Sequence, residues 1–319
     1  MPKIMLRVAL LCAMIFHQLD GFSSSASRFG RIPPSHIIRQ SAPLSLNPVS
    51  LPDSLADSAK IAADSTLDYF TAFPQGSARI DFFTNVGDET YTTLKNGDPF
   101  MKELVTFLGR SVAGSEKPLV RVYFPDEGSA ALTRRDWDFE EEGGETDTGS
   151  IPSNVAISAM PTAGFPPPDI SKDSIAILNC PKASESESAE AILEAYRLSE
   201  GCKGVVMLNP NLVDMGVTGY GMAGRMYFER VIKPMAQTYY LKTYYMGAVT
   251  YSSSVEGGGY TVWKEDADAE GGYSLLDVVD GKPVDIDVMD AIEDGAFKED
   301  ASLGPLDALA DFVNGMMRL

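Results

Sequence analysis

The sequence predicts an α/β fold: a partly parallel sheet built through βαβ crossovers, with antiparallel strands towards the C-terminus. Two patterns carry this expectation. Residues 174–209 read strand, helix, strand. Ser174-Ile-Ala-Ile-Leu-Asn179 is a compact apolar run, residues 186–200 place Ala189, Ile192, Leu193 and Tyr196 on one helical face, and Gly204-Val-Val-Met-Leu-Asn209 is a second apolar run closed by Pro210. Two such strands joined by one helix pair in parallel through a right-handed crossover. Further on, residues 239–245, 247–252 and 260–264 are rich in aromatic and β-branched side chains and are separated by Met246-Gly247 and by Gly257-Gly-Gly259. Turns that short join antiparallel neighbours.

The remaining elements follow in chain order. Residues 51–70 align Leu51, Leu55, Ala59 and Ala62 on a helical stripe, with Asp53 and Asp57 at the end where the helix dipole favours acids. Arg79-Ile-Asp-Phe-Phe-Thr84 is a short strand. Asp98 and Pro99 suit the cap and first position of a second helix, which carries Met101, Leu104, Val105 and Leu108 at helical spacing. Leu119-Val-Arg-Val-Tyr-Phe124 is a strand ending on Pro125-Asp126, and residues 130–137 form a short helix after it. Residues 138–150 are a solvated acidic loop. Residues 225–237 are helical, with Phe228, Val231, Ile232 and Met235 on one face and Pro234 bending or shortening the helix. A last helix is expected over residues 305–317.

The first 45 residues have a different character. Lys3 and Arg7 precede a nine-residue apolar stretch, residues 8–16, followed by Asp20-Gly21 and Phe22. This pattern matches a signal peptide over residues 1–21 and is too short to span a bilayer. Residues 22–45 carry serines and arginines with no Asp or Glu, as transit peptides do. A signal peptide followed by such a tract resembles the two-part presequence of diatoms and related algae, with Phe22 just after the cut, and so predicts import into a plastid. Residues 46–265 are then the α/β domain, and residues 266–319 an acidic C-terminal extension.

Removing residues 1–45 leaves 21 Lys and Arg against 44 Asp and Glu, a net charge of −23. A surface that negative repels phosphate backbones and argues against nucleic-acid binding. No remaining apolar run is long enough for a transmembrane helix. Both histidines, His17 and His36, fall in the presequence, so Ser-His-Asp and Cys-His catalysis are excluded from the mature chain. Cys180 and Cys202 make neither a disulfide framework nor a C-x-x-C site. No metal or cofactor is expected. The acidic group Asp285, Asp287, Asp290, Glu293 and Asp294 departs from the EF-hand spacing and reads as a hydrated face.

Three features are candidates for binding. Gly219-Tyr-Gly221-Met-Ala-Gly224 matches G-x-G-x-x-G, but it does not directly follow a strand, so it reads as a glycine loop opening a helix at Arg225. Arg134, Arg135 and Trp137 offer paired guanidinium groups beside an aromatic ring, or else ordinary ion pairs and core packing. Asp126 and Asn209 leave their strands where ligands of parallel sheets commonly lie; Asn209 equally suits the cap of a turn, and Asp126 a structural pair with Arg225. Asp126, Arg134, Arg135, Trp137, Asn209 and Arg225 are therefore the expected site for a ligand or partner, with Arg225 and its helix N-terminus holding an anionic group.

The segments Val122-Tyr-Phe-Pro-Asp126, Ala130-Ala-Leu-Thr-Arg-Arg-Asp-Trp137 and Val205-Val-Met-Leu-Asn-Pro210, with Gly247-Ala-Val249 and Trp263, resemble the family called domain of unknown function 1995 over most of residues 55–265. The resemblance implies a plastid stromal role. Members occur in plants, algae and cyanobacteria, and one plant branch assists photosystem II assembly at the thylakoid. It implies no catalytic residue. The expected function is a stromal accessory or assembly factor with protein partners in the stroma or at the thylakoid surface. The alternative is an enzyme or binder of small anionic ligands with a crevice at the strand ends.

Overall fold

The computed structural model describes residues 50–84, 93–140, 150–161, 168–212, 226–244, 247–255, 259–269 and 271–294. All of them belong to one compact unit, Leu44–Leu319. The expected presequence at 1–45, residues 141–149 of the acidic loop, the glycine motif at 219–224, Arg225 and the expected helix at 305–317 lie outside the described residues.

The order is α1 (Leu55–Ala72), β1 (Gly76–Phe83), α2 (Thr93–Val112), β2 (Leu119–Phe124), α3 (Glu127–Asp136), β3 (Val155–Ala159), β4 (Asp173–Asn179), α4 (Ser186–Leu198) and β5 (Gly204–Leu208). A π-helical turn (Phe228–Ile232), β6 (Ala236–Tyr244), β7 (Ala248–Ser253), β8 (Tyr260–Glu265), β9 (Tyr273–Val279) and α5 (Asp285–Asp294) complete it. The strands form one sheet in the order β3-β2-β4-β5-β1-β6-β7-β8-β9. Every pairing from β3 to β6 is parallel, and those from β6 to β9 are antiparallel. The fold is thus α/β with parallel crossovers, and its antiparallel strands are gathered at the C-terminal end.

Both faces of the parallel half are covered, so β4 and β5 are buried at every position. On one face Ile80, Phe82, Val122, Ile175, Ile177, Val206 and Leu208 meet α1, α2 and α3 through Ala59, Ala62, Phe70, Phe100, Leu104 and Ala130. On the other, Ala176, Leu178, Val205 and Met207 meet Ala189, Ile192 and Tyr196 of α4 and Val231 and Ile232 of the π-helical turn. Helix α5 packs Val288 and Ile292 on Ala248 and Val262 of the antiparallel half. Beneath α4, Arg121 forms a two-pronged pair with the fully buried Asp173, with Nε–Oδ2 2.6 Å and Nη2–Oδ1 3.0 Å, and Tyr196 donates to the same carboxylate. This ion pair ties β2 and β4 to α4 with its hydrogen-bonding capacity filled.

Several elements differ from the sequence expectation. Helix α2 begins at Thr93 and takes Pro99 into its interior. The ring cannot donate to the preceding turn. Burial of Phe100, Met101, Leu104, Val105 and Leu108, each fully inaccessible, offsets that loss. Asp98 is not the cap; its carboxylate accepts from the Trp137 indole. The helix expected over 225–237 is shortened to a π-helical turn ending before Pro234, and Gln237 already lies in β6. Strand β3 had no signal, because five residues with two alanines are too short and too small to stand out. The sheet also continues past residue 265, through β9 paired with β8. The acids Asp285, Asp287, Asp290 and Glu293 form the exposed side of α5.

Val206 sits mid-strand in β5 with 0% exposure, between β4 and β1. Val206→Asp buries a charge with no partner, and circular dichroism with thermal melting should find the variant unfolded.

Candidate functional site

The carboxyl ends of β2, β4, β5 and β1 lie side by side, and the connections after β2 and β4 leave on opposite faces, as do those after β1 and β5. Such reversals open crevices in parallel sheets. The sequence builds these ends in an unusual way. Strand β4 stops at Asn179-Cys180-Pro181 and β5 at Leu208-Asn209-Pro210, and both Cys180 (φ 48°) and Asn209 (φ 45°) adopt the left-handed conformation. The chains then resume parallel pairing, with Asn211 N donating to Pro181 O at 2.8 Å. A non-glycine residue pays for that conformation. Asn is among the residues that tolerate it; Cys is not.

Asn209 is 3% exposed. Its Oδ1 accepts from Phe82 N at 2.6 Å and its Nδ2 donates to Phe82 O at 2.8 Å. Its side chain thereby continues the β1–β5 ladder one step beyond the last backbone pair. Neighbouring Asn179 is 1% exposed, and neither of its amide atoms has a hydrogen-bond partner. The two thiols are unsuited to nucleophilic work, since burial pushes Cys180 up to about 12 and Cys202 up to about 11.

The other sequence-nominated residues that the structure describes each find a partner within the fold. Asp126 caps α3, accepting from Ser129 N at 2.8 Å and Ser129 Oγ at 2.9 Å, and these bonds hold its carboxyl below the usual range. Arg134 Nη1 donates to Glu127 Oε1 at 2.7 Å and its Nε to Ile157 O at 3.3 Å. Arg135 pairs with the adjacent Asp136 at 2.7 Å. Trp137 is 5% exposed and packs edge-on against Phe124, with ring centroids 6.3 Å apart. Arg225 lies outside the described residues.

A second constellation escaped the sequence reading. On the face covered by α4 and α5, the stretch over β1 and β6 between those helices is charged. Arg79 and Asp81 of β1 stand in register with Gln237 and Tyr240 of β6, and Phe83 with Lys242. Asp81 is 5% exposed; Arg79 Nε lies 3.1 Å from its Oδ2, and Gln237 Nε2 donates to the same oxygen at 2.5 Å. The Arg79 Nε contact is out of hydrogen-bonding alignment. Tyr260 of β8 donates to Gln237 Oε1 and packs edge-on against Tyr240 at 5.6 Å. The Lys282 ammonium lies 4.5 Å above the Tyr240 ring. Lys242 Nζ bonds Asp285 Oδ2 at 2.5 Å.

Burial raises the pKa of Asp81 even though Arg79, Lys282 and Gln237 all oppose the rise. Burial lowers that of Lys282, with Asp81 opposing and Arg79 adding to the shift. An acid pushed up beside a lysine pushed down is a signature of functional clusters. The one available sequence signal was the polar alternation Arg79-x-Asp81 inside a strand destined for a doubly covered sheet.

The geometry defines an α/β protein with a mixed sheet, braced strand ends, and a charged stripe where its parallel half meets its antiparallel half. The chain belongs to the Domain of unknown function (DUF1995) family, whose model matches residues 52–289. A search of curated proteins finds no match.

Two measurements check the site's energetics. Asn209→Ala removes both bonds to Phe82 and leaves an alanine in the left-handed region, so urea denaturation should show a loss of about 2–5 kcal/mol. Asp81 behaves oppositely. Because its folded pKa is raised, the native state binds the proton more tightly than the unfolded chain does. The stability Asp81 contributes is therefore greatest at acid pH and falls as pH rises through its folded pKa. Asp81→Asn should accordingly melt above the wild type at neutral pH and converge with it below about pH 4, the unfolded carboxyl range.

Proposed function

We propose that this DUF1995 protein is an accessory factor of the plastid stroma that acts by docking on protein partners at the thylakoid surface, with photosystem assembly complexes as the partner class. The observation that carries this reading is where apolar surface remains uncovered. Leu275 and Val278 of β9 are 48% and 58% exposed, and Val284, Ile286 and Met289, around the start of α5, are 61%, 59% and 39% exposed. Strand β9 is the edge of the sheet, and an edge strand with apolar side chains is a template for another chain.

Two further observations support binding over covalent catalysis. The thiols are buried and protonated, and Asp126, Arg134, Arg135 and Asn209 at or near the strand ends are engaged in local bonds. The plastid address rests on the presequence pattern of residues 1–45. Among the described residues no helix is long and apolar enough to cross a membrane, which suits peripheral attachment.

The address and the docking are tested separately. Residues 1–45 fused to a fluorescent protein should enter a diatom plastid; secretion of the fusion removes the address. The wild-type chain should retain photosystem subunits from detergent-solubilised thylakoids, and the double variant Leu275→Asp, Val278→Asp should lose them while melting as the wild type does. Equal retention by both chains rules out the β9 edge.

A further inference from the structure

We propose that the charged stripe over β1 and β6 is a binding site for a small oxyanion, a phosphate or carboxylate group carried on an organic body, with Arg79 and Lys282 as its ligands. This inference goes beyond the docking reading and does not depend on it.

The charge balance of the stripe supports this. Lys242 and Asp285 form a neutral pair at 2.5 Å. What remains among the described residues is Arg79, Lys282 and one carboxylate, Asp81, so two cations share a single acid. That acid already sits 3.1 Å from the Arg79 Nε and accepts from Gln237. Among the described residues Lys282 has no carboxylate within 4 Å, and its ammonium rests on the face of Tyr240, which is 1% exposed. A partly desolvated cluster with surplus positive charge is costly until an anion joins it. The cost is paid in a chain whose formal net charge is −19, where a surplus of local cations has no role in solubility.

The surroundings suit a ligand with an apolar part. Phe83, in register with Lys242, is 37% exposed at the end of β1. Tyr260 and Tyr240 stand edge to face alongside. Guanidinium and ammonium differ in use: Arg79 offers a planar fork to two oxygens, and Lys282 a mobile point charge on an exposed stem. Helix α4 covers Val205 and Met207 of β5, α5 covers Ala248 and Val262, and the start of α5 reaches this stretch through the Asp285–Lys242 pair. Asp81 and Tyr240, at 5% and 1% exposure, form the floor of the stripe, and Lys282 and Phe83 stand exposed at its surface.

The test is thermal melting of the full chain in sodium phosphate and in sodium acetate, each against sodium chloride at matched ionic strength. The anion that fits should raise the wild-type Tm by about 3–6 °C at tenfold its dissociation constant, and the arm giving the shift at lower concentration distinguishes phosphate from carboxylate. Lys282→Met, which removes the surplus cation, should melt above the wild type in chloride and lose most of that shift; Lys282→Gln serves if the methionine variant loses its native spectrum. A wild-type Tm that neither anion raises above chloride, or a full shift retained in the Lys282 variant, overturns the site.

Discussion

The contact between β1 and β5 holds the rest of the structure in place, and it is closed at both ends by a residue-specific device. At the entry, Gly76 and Gly204 are register partners, and a Cβ on Gly204 would stand 2.3 Å from the Phe70 ring and 2.5 Å from the Gly76 carbonyl. Only glycine lets α1 close down on the strand pair there. At the exit, the Asn209 amide takes over both hydrogen-bonding groups of Phe82 once the backbone ladder has ended. Between these closures β1 is flanked by β5 and β6, and β6 is where the sheet turns from parallel to antiparallel pairing.

That arrangement separates three kinds of surface. The strand ends are committed to the fold: Asn209 braces, Asp126 caps, and Trp137 fills space against Phe124 while donating to Asp98. On one face of the boundary between parallel and antiparallel halves the sequence places Arg79 and Asp81 of β1, with Lys282 over Tyr240 of β6, instead of apolar packing. The far edge ends in β9, where Leu276 and Tyr273 pack on the core while Leu275 and Val278 are exposed among the described residues. Apolar exposure on β9 and at the start of α5 stands beside that of Leu132 on α3 and Leu198 on α4.

The core was legible in the sequence because its signal is local. Ile175, Ile177, Val205 and Met207 lie in unbroken apolar runs around an amphipathic helix, and they are buried as that pattern requires. Asn209 was singled out for standing at a strand end, yet its partner is Phe82, 127 residues away, which no spacing rule reaches. Arg134 looked like a recognition residue because its partner Glu127 lies seven residues back, beyond the usual helical pair spacing. Arg79 and Asp81 carry no such local signal, for the reverse reason. In a strand, alternating charge ordinarily marks a solvated face, and only the sheet order reveals that this face lies between two helical layers. Strand β9 carries good strand residues, but its worth depends on having β8 as its one neighbour.

The central claim is that the protein works by docking through the β9 edge rather than through its strand ends. Site-specific photocrosslinking in isolated plastids addresses it most directly, with a benzophenone amino acid placed at Leu275 in one chain and at Leu132 in another. Both positions are exposed, at 48% and 52%, and Leu132 lies on α3 beside the strand ends. Capture of photosystem subunits from position 275 and not from position 132 is the expected result; capture from position 132 alone would contradict the account.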